Sequence, residues 1–252
     1  MFIDTHCHLE LLKDIPKVLN KAKKAGVGII VYNSVNLKTM KLALELSEKY
    51  SEIKVALGIY PIDMLKLTED EIAEQLDFIR KNKNKIIAIG EVGIDLKENS
   101  DFEKQKKNFR VFVKLAEELD IPLIVHSRKA EENVVEILEK ENCKKVIMHC
   151  FNGNFKLIKR IIENNWILTI PTNVTNSQHF KKIIEITPIK NLLCETDSPF
   201  LHPIKGEFPN EPANVIESYK MISKIKKISL KKAEEEIQNN FIIFQKNCSS
   251  NA

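Results

Sequence analysis

The sequence predicts a single α/β domain spanning residues 1–252, a (β/α)8 TIM-type barrel with a metal site at the C-terminal mouth of its strands. Three observations predict it. Short, nearly continuous runs rich in Ile, Val and Leu recur along the chain, as strands buried on both faces of a parallel sheet do. Longer amphipathic stretches separate them, about eight times over, the alternation of α/β folds. No glycine-rich fingerprint follows the first run, which argues against the rival, an open doubly wound sheet.

The strands fall at residues 1–5, 28–33, 54–58, 86–90, 123–125, 145–148, 166–170 and 191–194. The first helix covers 15–25 and stops at Gly26, a residue suited to ending helices. The second, 37–50, puts Leu42, Leu46 and Tyr50 on one stripe. Thr68 and Glu71 form a capping-box pattern ahead of Ile72, Leu76 and Ile79. The stretch 102–119 carries Phe109, Phe112, Val113 and Ala116 on one side; 131–139, 155–164, 178–186, 214–224 and 230–238 complete the helices.

At 252 residues, 43% hydrophobic and 29% charged, the chain can bury a sizeable core as one domain. A net charge of +4 is compatible with a polyanionic substrate and does little to select one. Cys7, Cys143, Cys150, Cys194 and Cys248 are odd in number with no close pair. That argues against a disulfide framework or zinc ribbon and fits a reducing cytoplasm. No basic region followed by an apolar run opens the chain, so no signal peptide is expected. No apolar segment approaches the roughly 18 residues of a membrane span, and no obligate protein partner is evident.

The chemistry starts at Asp4-Thr5-His6-Cys7-His8. In an extended backbone alternate residues share a face, so His6 and His8 point the same way, with Asp4 one step deeper. Two converging imidazoles suit a divalent metal, although an isolated His-x-His is more often a pair of surface histidines. Later strand ends supply partners: Glu91, His126, His149, and Glu195-Thr196-Asp197. Four of the six histidines sit at predicted strand C-termini, which share one mouth in a barrel. Four imidazoles and two carboxylates exceed one tetrahedral site that keeps a water. They suit two divalent ions a few ångströms apart, with a carboxylate bridging them and a metal-activated hydroxide attacking a phosphoryl or carbonyl centre.

Ordered blocks then identify a resemblance over nearly the whole chain. They are Asp4-Thr5-His6-Cys7-His8, Ile89-Gly90-Glu91-Val92-Gly93-Ile94-Asp95, His126-Ser127-Arg128, His149-Cys150-Phe151-Asn152-Gly153, Glu195-Thr196-Asp197-Ser198-Pro199-Phe200-Leu201, and Asn210-Glu211-Pro212-Ala213-Asn214. The chain resembles the TatD family of metal-dependent deoxyribonucleases, within the amidohydrolase superfamily. The resemblance implies that His6, His8 and Asp197 hold one metal, that His126 and His149 hold the other, and that Glu91 bridges. It also implies hydrolysis of DNA phosphodiesters from an end.

Asp197 and Glu91 are therefore expected to be catalytic as well as ligating. The metals are two divalent ions drawn from Mg, Mn, Zn or Co. Arg128, Tyr60 and His202 are candidate substrate contacts. Arg128 can clamp a phosphate or form a salt bridge to a nearby helix. Asp4, Asp95 and Glu195 read as supports of the ligands. Cys7, Cys150 and Trp166 read as packing residues, and His179 as a surface residue. Phe151 and Phe200 can stack on a base or line the wall.

Two positions depart from the family pattern. Tyr60 stands in Gly58-Ile59-Tyr60-Pro61 where the family usually carries histidine, and Phe208-Pro209 stand where it often has a basic pair. These departures keep alive a second expectation, a hydrolase of another ester or amide (a lactone, phosphotriester or aminoacyl ester). A vestigial barrel that only binds is a third, against which the intact ligand set argues.

Overall fold

A computed structural model describes residues 1–246; Cys248 lies outside them. Eight parallel strands run in sequential order around the sheet: β1 (Phe2–Cys7), β2 (Val27–Asn33), β3 (Ile53–Leu57), β4 (Ala88–Asp95), β5 (Leu123–Arg128), β6 (Val146–Met148), β7 (Ile167–Pro171) and β8 (Leu192–Glu195). The helices are α1 (Ile15–Lys24), α2 (Leu37–Lys49), α3 (Pro61–Met64), α4 (Glu69–Lys81), α5 (Phe102–Leu119), α6 (Glu131–Lys140), α7 (Phe155–Glu163), α8 (Gln178–Ile186), α9 (Ile216–Lys226) and α10 (Leu230–Lys246). The expected barrel is thus present, and all eight predicted strands lie where the apolar runs placed them. β1 and the end of β8 close the ring: Cys7 bridges Ser198, Asp197 N donates to His6 O (2.9 Å) and His8 N to Ser198 O (2.8 Å).

The helices face the sheet through the stripes that predicted them. Leu46, Leu76, Ile79, Phe109 and Phe112 join the strand residues in one buried cluster. Thr68 and Glu71 cap each other's backbone as expected, and Gly26 follows α1 at a positive φ. α10 runs past the predicted stop at 238. Asn240 breaks the apolar pattern yet is buried, because its amide donates to Ile189 O (2.7 Å) and Leu192 O (2.9 Å) at the root of β8. Trp166 and Phe151 are buried packing residues. His179 stacks on Phe155. The four described cysteines are free. Among the described residues, no helix is long and apolar enough to cross a membrane.

Two strands are bulged where they carry polar residues. Between the pairs Asp4↔Ile30 and Cys7↔Tyr32, β1 advances three residues while β2 advances two. Between Ile89↔Leu123 and Val92↔Val125, β4 likewise advances three against two. An extra residue of this kind bends a strand and re-aims its side chains. The second bulge contains Glu91, so β4 continues to Asp95 instead of ending at Gly90. Polar Glu91 interrupts the apolar run in the sequence, but pairing with β5 resumes at Val92. Gly93 allows this at φ +148°, since a Cβ there would collide with the His126 carbonyl.

Candidate metal centre

Parallel strands of a barrel deliver their C-terminal ends to one mouth. His6 is the penultimate residue of β1 and His8 follows the strand. Glu91 sits in the β4 bulge and His126 in β5. His149 is one residue past β6, and Asp197 two past β8. The structure brings all six together, nearly or wholly buried.

His6 Nε2 and His8 Nε2 lie 3.3 Å apart. Both are 3.4 Å from Glu91 Oε2, and they stand 3.7 and 3.6 Å from Asp197 Oδ1. On the other side, Glu91 Oε1 is 2.7 Å from His126 Nδ1 and 3.8 Å from His149 Nε2. Asp197 Oδ1 also reaches within 3.9 Å of His149 Nε2. Each Glu91 oxygen therefore serves one imidazole pair. Two ligands about 2.0–2.1 Å from a common zinc-like ion, at a tetrahedral angle, stand about 3.3–3.4 Å apart. The edges around Glu91 Oε2 have that length, so the donor set fits a divalent cation. His6–His8–Asp197 and Glu91–His126–His149 are the two ligand groups the geometry supports, and a third, His6–His149–Glu195, overlaps them.

The far nitrogens of the imidazoles also fit. Metal-binding histidines usually donate their other N–H to a carbonyl or carboxylate. His8 Nδ1 lies 3.2 Å from the Asn33 carbonyl, which can only accept, so Nε2 is left for the site. His149 Nδ1 pairs with Glu195 Oε2 at 2.8 Å, again leaving Nε2. Glu195 Oε1 accepts from Cys150 N at 3.0 Å. With both oxygens committed, Glu195 orients His149, and we set the third group aside as a ligand set. His126 is reversed: Nε2 faces Asp95 Oδ2 at 3.1 Å and Nδ1 faces Glu91. Among the described residues His6 Nδ1 has no hydrogen-bond partner; its ring is held by stacking on His149 at 3.7 Å.

Charge follows the same pattern. Burial opposes charge on His8, His126 and His149. Surrounding carboxylates outweigh it and push each up to about 9: Asp197, Glu91 and Glu10 for His8, Asp95 and Glu91 for His126, Glu195, Asp197 and Glu91 for His149. Burial and the neighbouring His149 hold His6 below its ordinary value. Against burial, His126 and His6 keep Glu91 well below the usual carboxylate range, and His8, His149 and His6 lower Asp197.

Asp4 accepts from Thr196 N (2.8 Å) and Oγ1 (2.6 Å), tying β1 to the segment that carries Asp197. Asp95 accepts from the Tyr60 hydroxyl at 2.6 Å. Arg128 is 44% exposed, with Nη1 3.3 Å from Glu98 in the β4–α5 loop and 3.7 Å from Asp95. His202 is half-buried, its Nδ1 taken up by Ile204 N at 3.1 Å. Phe200 is 47% exposed with its ring 6.4 Å from that of His8. Ile204 and Phe208 are exposed on the same loop. Sequence reasoning missed Asn33 and Glu10. A backbone carbonyl has no side-chain signature. Glu10 continues the period-2 spacing of His6 and His8, a signal that was there to read; its Oε1 lies 3.7 Å from His8 Nδ1.

Comparison with known proteins finds metal-dependent hydrolases over nearly the whole chain. The family model described as TatD related DNase matches residues 3–245. An uncharacterized metal-dependent hydrolase of Methanocaldococcus jannaschii is 36% identical over 97% of each chain. The human deoxyribonuclease TATDN3 is 30% identical, over 97% of this chain and 94% of that protein. The crystal structure of YjjV, a TatD homologue from Escherichia coli, superposes with a TM-score of 0.91 at 26% identity, covering 97% of this chain and 98% of that one.

Proposed function

This chain belongs to the TatD-related DNase family and is a metal-dependent hydrolase, and on that premise we propose that it cleaves DNA phosphodiester bonds, working from a strand end. One observation carries the reading: Glu91 is divided between two imidazole pairs, Oε2 at 3.4 Å from His6 and His8, Oε1 at 2.7 Å from His126. We assign His6, His8 and Asp197 to one divalent ion, His126 and His149 to a second, and Glu91 to both. The imidazole-rich set favours Zn, Mn or Co, with Mg allowed by the carboxylates.

When bound, such a pair of ions acidifies water and neutralises charge on a phosphoryl group. The chain's own residues supply the rest. Asp197, held ionised, accepts the proton of the attacking water. Arg128 exchanges its exposed contact with Glu98 for a non-bridging phosphate oxygen, which costs little because surface pairs are weak. Phe200 lies beside His8, and its ring offers a base a face to stack on; we assign His202, on the same loop, to substrate binding as well. The Tyr60 hydroxyl is already given to Asp95, so its contribution to substrate binding is confined to the ring.

The test is cleavage of end-labelled single-stranded DNA by protein loaded in turn with Mg²⁺, Mn²⁺, Co²⁺ and Zn²⁺. Shortening from one end is expected, and Glu91→Ala is expected to abolish it. Intact DNA under all four metals would overturn the reading. A second reading rests on the loop at the mouth, where Phe200, Ile204 and Phe208 are 47%, 62% and 69% exposed. An apolar loop where the family often carries a basic pair favours a less charged ester or amide, and turnover of lactones or aryl esters with inert DNA would select it.

A further inference from the structure

We infer that Asp95 and Tyr60 are positioning residues, which fix His126 in the tautomer that presents Nδ1 to the metal centre. The inference rests on the assignment of His126 as a ligand. His126 is turned opposite to His8 and His149, which keep Nδ1 on their outer partners. A neutral imidazole carries one N–H. For Nδ1 to offer a lone pair beside Glu91 at 2.7 Å, the proton must sit on Nε2. Asp95 Oδ2, 3.1 Å away, accepts that proton and has none to give.

Asp95 is itself immobilised. Oδ1 accepts from Lys97 N (2.9 Å) and Glu98 N (3.0 Å), and Oδ2 accepts from Tyr60 Oη (2.6 Å). Its backbone N donates to Gln105 Oε1 (2.8 Å), and Gln105 Nε2 donates back to Asp95 O (3.0 Å). The carboxylate therefore cannot swing away from His126. The Tyr60 ring lies edge-on to His126, centroids 5.2 Å apart, so hydroxyl and ring brace the same imidazole. Tyr60 thus acts on the metal through Asp95.

Asp95→Asn is the decisive substitution, because an amide can turn its NH₂ toward Nε2 and so favour the tautomer with the proton on Nδ1. Metal binding is read by calorimetric titration with Co²⁺ and by the visible absorption of the bound cobalt, alongside the melting temperature of the metal-free protein. One of the two binding steps is expected to weaken about 10–100-fold, the usual cost of losing a partner that orients a ligand, with altered cobalt absorption. Tyr60→Phe keeps the ring, and a smaller loss in the same step is expected. In a His126→Ala background, Asp95→Asn should have no further effect on metal affinity, which separates positioning from general damage. Wild-type affinity and absorption in Asp95→Asn, or an undiminished loss in the His126→Ala background, would overturn the inference. Absence of any cobalt binding by the wild-type chain would instead overturn the metal-centre assignment and this inference with it.

Discussion

Asp4 and Thr196 are 192 residues apart in sequence and joined by two hydrogen bonds, from Thr196 N at 2.8 Å and Thr196 Oγ1 at 2.6 Å, both buried. Thr196 Oγ1 also accepts from Ser198 N and Oγ. The first strand thereby holds the segment after the last strand, on which Asp197 faces His6 and His8. Asp4 closes the ring on which the ligand side chains meet.

Replacing Asp4 with Ala leaves Thr196 N and Oγ1 buried without that partner. Unsatisfied buried donors cost about 1–3 kcal/mol each, so a loss of about 3 kcal/mol is expected, read by denaturant unfolding. Metal content should fall as well, because Asp197 loses its anchor. An Asp4→Ala protein with unchanged stability and full metal would show the seam to be held by other contacts.

On the proposed assignment, His6→Ala and His8→Ala each remove one donor from the ion they would share with Asp197. Elemental analysis should find about one equivalent less metal per chain and little DNA cleavage, while circular dichroism stays that of the barrel. Full metal content together with full activity in either variant contradicts the ligand assignment.

Metal affinity should rise with pH. His8, His126 and His149 are pushed up to about 9 in the metal-free protein, so at pH 7 a metal must displace their protons. A raised value in the folded state stabilises the fold fully below the ordinary histidine value near 6.5. That contribution is lost as pH climbs through about 9. The metal-free melting temperature is therefore expected to fall between pH 6.5 and 9 while the gain on adding metal grows. Proton release is measured by titration calorimetry in buffers of different ionisation enthalpy, and pH-independent affinity would rule the scheme out.

Arg128→Ala should raise KM for DNA with a smaller effect on kcat, since Arg128 is exposed and its contacts with Glu98 and Asp95 are long ones. Phe200→Ala should do likewise if bases stack on its ring, a loss of about 1–3 kcal/mol by analogy with other stacking residues. Steady-state kinetics on short single-stranded oligonucleotides separates the two constants; an unchanged KM in both variants removes this rim from the substrate path.

Much of this was legible in the chain. Eight apolar runs are visible because parallel strands are buried on both faces, and the polar residues that end several of them, such as Glu91, His126 and His149, stand out. Glu91 was legible as a residue though not as part of a strand, because the bulge that aims it depends on pairing with β5. The length of α10 was hidden for a related reason: Asn240 looks like a surface residue until the backbone of β8 is beside it. Tyr60 was marked as unusual, but its partner Asp95 lies 35 residues away and only folding joins them.

The sequence by itself determined the donor inventory, four imidazoles with Glu91 and Asp197, and its placement at successive strand ends, because hydrophobic periodicity and residue chemistry are local properties. Tertiary structure decided which atom of each donor faces the site. His8 turns to Asn33, His149 to Glu195 and His126 to Asp95, across 25, 46 and 31 residues. An imidazole has two nitrogens of nearly equal standing, and the choice between them belongs to whichever acceptor the fold brings to the other side.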